Sequence, residues 1–77
     1  LIELKRRRLE LGYSQEALAA RSGMSFTTIC AIELQKRPPQ DFTLVKLAKA
    51  LGVRQRHRWR LMETVTEAQA AGAEAVS

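Results

Sequence analysis

The chain has 77 residues, 13 of them basic and 8 acidic, for a formal net charge of +5, which predicts one small domain with a surface suited to a polyanion. No apolar run approaches the roughly 20 residues of a membrane span, nothing reads as a signal peptide, and a lone cysteine, Cys30, excludes an internal disulfide. A core of this size is worth about 3–5 kcal/mol, so self-association as a homodimer is expected, in a reducing cytoplasmic setting.

Leu1 to Leu11 reads as a first helix, with Leu1, Leu4, Arg8 and Leu11 on one face, Arg6 and Arg7 turned outward, and Gly12 at its end. The chain opens on Leu1 rather than Met, so residues are expected to precede it. Ser14 can cap a second helix, Gln15 to about Ser22, by accepting a hydrogen bond from an unpaired amide of the first turn. That helix turns Leu18 and Ala19 inward, and Gly23 supplies the positive φ of a tight turn. Ser25 then caps a third helix, from Phe26 to about Leu34, with Ile29 and Ile32 buried. Two short helices about such a glycine are the layout of a helix-turn-helix, whose second helix can enter the major groove of DNA.

Lys36-Arg37-Pro38-Pro39 breaks the pattern, because proline lacks the amide donor and restricts its predecessor. Asp41 is expected to cap a fourth helix, Phe42 to Leu51, with Leu44, Leu47, Ala48 and Leu51 on a helical stripe ended by Gly52. A fifth helix is expected over Gln55 to Ala70, with Trp59 and Met62 closing the core. Leu61 and Val65 lie on the neighbouring stripe and are the candidate dimer seam. There is no strand-like alternation, so the expected fold is all-α, a compact five-helix bundle over residues 1–71 with a frayed tail at 72–77. All thirteen basic residues fall within residues 1–60, against five acidic ones, whereas residues 61–77 hold only Glu63, Glu67 and Glu74.

The Arg54-Gln55-Arg56-His57-Arg58-Trp59-Arg60 stretch admits a second nucleic-acid reading, with arginines on a backbone and the aromatic stacked on a base. The favoured reading keeps Trp59 in the core, the arginines solvated and His57 at the solvent edge. Cys30 and His57 have no second ligand at metal-site spacing, so no metal or other cofactor is expected. No His–carboxylate arrangement, nucleophile elbow or phosphate-cradling Gly loop is present, so no enzyme and no small-molecule substrate is expected.

Taken in order, Arg8, Gly12, Ser14-Gln15-Glu16, Leu18-Ala19, Gly23-Met24-Ser25, Thr28-Ile29, Ile32-Glu33, Lys36-Arg37, Pro39, Leu44 and Leu47 through Val53 resemble the Cro/repressor-type helix-turn-helix family. This family of bacterial and phage regulators is also called xenobiotic-response-element-like. The resemblance covers roughly Leu4 to Val53 and implies a repressor-like bundle, usually a homodimer, acting on double-stranded DNA as repressor, activator or antitoxin. It implies base contacts from Phe26, Thr27 and Ala31, and phosphate contacts from Ser14, Gln15, Thr28, Lys36 and Arg37. Arg8 and Glu33 match a structural ion pair joining the first helix to the reading helix.

Two departures stand out. Phe26, Thr27, Cys30, Ala31 and Leu34 occupy the groove face, where the family commonly has Arg, Gln, Ser or Asn, so no side chain there can make a bidentate base contact. Specificity is then expected to lean on thymine methyls and DNA shape, with a protein-binding surface as the alternative. Gln35 also replaces the Gly usual after the reading helix.

Overall fold

Each short helix is delimited by a local chemical signal. The computed structural model describes residues 1–65. Within them α1 spans Glu3–Glu10, α2 Gln15–Ser22, α3 Phe26–Glu33 and α4 Asp41–Leu51, followed by a 3-10 helix, Gln55–Met62, here called the closing helix. Ser14 Oγ accepts from the Ala17 amide at 3.0 Å and Ser25 Oγ from the Thr28 amide at 3.1 Å, so both expected caps form. Gly23 ends α2 in the left-handed region at φ 71°, where a side chain would be strained.

The stripes read from the sequence meet in one core. Leu18, Ala19, Ile29, Ile32, Leu44, Leu47, Ala48 and Leu51 are all buried, joined by Ile2, Leu4 and Leu61. Burial of these side chains, at roughly 1.5–3 kcal/mol each, is the main force holding the short helices. Leu11, expected on the inner face of α1, is 46 % exposed, because α1 ends at Glu10 and the chain turns away.

At α4 the cap is Gln40, with extended backbone and no side-chain cap bond, rather than Asp41. Asp41 is the first helical residue, and its carboxylate instead accepts from Arg58 Nε at 2.8 Å. An acid in the first turn still suits the helix dipole.

The last element departs furthest from the helix its sequence predicts. The helix expected over Gln55–Ala70 is 3-10 and stops at Met62, and Glu63 is extended at φ −68° and ψ 139°. Beyond it the chain pairs with the N-terminus through an isolated antiparallel bridge between Ile2 and Thr64. The Glu3 amide donates to Glu63 O at 2.8 Å and the Val65 amide to Leu1 O at 2.7 Å. The N-terminal ammonium donates to Val65 O at 3.2 Å. This pairing seals Ile2 into the core. Residues 66–70, the expected domain end at 71 and the frayed tail 72–77 lie outside the described residues.

A three-residue repeat puts Gln55, Arg58 and Leu61 on one row of the closing helix. Gln55 Nε2 donates to Val45 O at 3.0 Å, and Arg58 holds Asp41, so that row faces α4. Leu61 therefore fills the protein's own core at 1 % exposure and is not available as a dimer seam. Trp59 is turned out at 53 % exposure, while Met62 packs against the core as expected. Val65 is half-buried beside Leu1.

Candidate nucleic-acid interface

One carboxylate ties α1, α2 and α3 together. Glu33 Oε2 accepts from Arg8 Nε at 2.7 Å, and Glu33 Oε1 accepts from Arg8 Nη2 at 3.0 Å and from Gln15 Nε2 at 3.1 Å. Arg8 Nη1 donates in turn to the Tyr13 carbonyl at 2.8 Å. The pair expected from the resemblance therefore forms, bidentate and nearly dry. With both charges paired and the other polar atoms satisfied, the arrangement fixes geometry across three helices.

Above this hub, α3 presents Phe26 at 47 % exposure and an exposed Thr27, and its C-cap Leu34 is 66 % exposed. Thr28 is half-buried, its hydroxyl 2.8 Å from Ser25 Oγ. Ala31 is half-buried and lines an open groove of about 450 Å³ together with Thr27, Thr28, Arg37 and Phe42. Cys30 is half-buried on the other side, its Sγ 3.5 Å from Gln15 Oε1, so it faces α2 rather than the groove.

Helix α3 ends in a Schellman turn. The Gln35 amide donates to Ile32 O and the Lys36 amide to Ala31 O, both at 3.0 Å. Gln35 sits at φ 57° and is the only non-glycine with positive φ among the described residues. The missing glycine is thus replaced by a strained side chain rather than by a different turn. The turn delivers Lys36 and Arg37, both exposed, immediately after the reading helix.

Ser14 is exposed at the start of α2; its oxygen accepts from Ala17, which leaves its O–H free to donate outward. Gln15 is half-buried, with one amide hydrogen committed to Glu33 and a second to spare. The sequence pattern assigns no role to Phe42. It lies 54 % exposed at the start of α4, with Lys46 Nζ 5.8 Å from its ring centroid. Its position off the Leu44/Leu47/Leu51 stripe is the signal that would have found it.

The helix-turn-helix family model matches residues 4–54, and the chain belongs to that family. It is also similar to a protein of Sinorhizobium fredii named "Uncharacterized HTH-type transcriptional regulator y4dJ", at 46 % identity over 48 residues. That match spans 62 % of this chain and 62 % of the relative. No solved structure matches the chain significantly. No helix among the described residues is long and apolar enough to cross a membrane.

Proposed function

We propose that the chain is a DNA-binding transcriptional regulator, a repressor that grips a short operator as a homodimer with α3 in the major groove. The observation that carries this reading is the exposed α3 face, tied to α1 and α2 through Glu33 and followed at once by exposed Lys36 and Arg37. Likeness to the Sinorhizobium fredii protein named as an HTH-type transcriptional regulator supports it. The role is binding rather than catalysis, in the cytoplasm at the nucleoid.

Phe26 and Ala31 pack against thymine methyls, and Thr27 makes a single hydrogen bond to a base edge. Ser14, Gln15, Thr28, Lys36 and Arg37 meet phosphates and set the register. No residue of this face gives bidentate readout, so DNA shape supplies much of the preference. Two copies set their reading helices about 34 Å apart, in successive major grooves. Val65 is the seam residue that remains.

Selection of bound fragments from genomic DNA against excess competitor tests this reading. A recovered palindromic, A·T-containing motif is the expected result, and uniform binding to all fragments rejects an operator. A second reading, docking of a protein on this face, is favoured by the exposed Phe26 and Leu34. It predicts no DNA retention and one co-purifying partner.

A further inference from the structure

A second concave surface shares no residue with α2, α3 or the loop that follows α3. It is an open cleft of about 400 Å³ between α1 and the closing helix, lined by Arg7, Arg54, Arg56, His57 and Arg60, with Glu3 at its edge. Arg6, Arg8 and Arg58 have carboxylate partners, whereas these four arginines have none among the described residues. Glu3 is engaged by Arg6 and neutralises none of them.

Two observations show what this cleft favours. Arg7 lines the cleft, and its buried Nε has no hydrogen-bond partner among the described residues, so this guanidinium is left without an acceptor for one of its donors. Partial burial, then the charges of Arg60, Arg56 and Arg54, hold the His57 imidazole below its ordinary pKa, so the wall is inhospitable to one more cation.

We propose that this cleft binds a small anion bearing two phosphate groups, of the pyrophosphate type. Guanidinium forks match phosphate oxygens two at a time. At about −1.5 charges per phosphate near neutral pH, two linked phosphates offset most of the charge of four guanidiniums, whereas one phosphate leaves half or more of it uncompensated. The chain's own Glu67 and Glu74 bring one charge each and match the cleft less well. The surface proposed to face DNA stays free when the anion is bound.

The test is an NMR titration of the full chain with inorganic pyrophosphate, ionic strength held constant with sodium chloride. Saturable shifts of the Arg7 Nε–H and the His57 ring are expected, with a rise in the His57 pKa as the anion offsets Arg7, Arg54, Arg56 and Arg60 around it. Arg60→Gln should weaken binding by about tenfold or more, the scale of one lost charge-assisted bond. The Lys36→Ala/Arg37→Ala variant should bind pyrophosphate unchanged. Shifts that never saturate, or that chloride reproduces, would overturn the proposal. So would movement of these two signals by duplex DNA but not by pyrophosphate. A response only to Glu67→Gln/Glu74→Gln in anion-free protein would assign the cleft to the chain's own tail and overturn it equally.

Discussion

Arg8 of α1 and Glu33 at the end of α3 stand 25 positions apart in sequence and form a bidentate pair whose side chains are 8 % and 3 % exposed. Removing one partner strands the other charge away from water. Arg8→Leu should therefore destabilise the fold by about 3–5 kcal/mol. Arg8→Leu/Glu33→Leu should cost clearly less than the two single changes summed. Urea denaturation of the three variants measures both; a single-variant loss below about 1 kcal/mol would mean the pair is better hydrated than its burial implies.

Gln35 holds a left-handed backbone, at φ 57°, that glycine adopts without a Cβ clash. Gln35→Gly should stabilise the protein by up to about 1 kcal/mol, the relief of strain being partly offset by the larger entropy of the unfolded glycine. Gln35→Val should lower stability, since a β-branched side chain is worst placed there. The shift in denaturation midpoint at constant slope reads both effects.

Leu61 and Trp59 divide the closing helix between core and solvent. Leu61→Ala should cost about 2–5 kcal/mol by cavity formation. Trp59→Gln should stay within about 0.5–1 kcal/mol of the parent, and Trp59 fluorescence should already be that of a hydrated indole in the native protein. A blue-shifted, quencher-protected Trp59 would place it under a partner subunit.

What was legible in the sequence was local. Ser14 and Ser25 announce caps, Gly23 announces a turn, and Leu44, Leu47, Ala48 and Leu51 repeat at helical spacing; each signal is complete within a few residues. The closing segment departs from its local pattern because its outcome is decided at a distance. Ile2 and Thr64 pair across nearly the whole chain, and no periodicity within either segment encodes that. Trp59 and Leu61 exchanged places because a 3-10 repeat of three, not an α-helical one, aligns Leu61 with Gln55 and Arg58 against α4. The site was legible as positions rather than as bonds. That Gln15 spends one donor on Glu33, and that Cys30 faces Gln15, follows only from the packing of α2 on α3.

Thr27 is exposed at the start of α3 and is the polar side chain proposed to read a base. Thr27→Ala should leave stability and overall affinity for DNA nearly unchanged while altering the motif recovered by selection at one base pair per half-site, by about 1–3 kcal/mol of preference. An identical motif would remove Thr27 from the base-reading set.

The salt dependence of DNA binding bears most directly on the proposed interface. The logarithm of the binding constant should fall linearly with the logarithm of salt concentration, with a slope of about −0.9 for each phosphate neutralised. Loss of the two cations in Lys36→Ala/Arg37→Ala should flatten that slope by about two and weaken all DNA sequences alike. A double variant whose slope matches that of the parent would show that the duplex does not dock on the face that α3 and its following turn present.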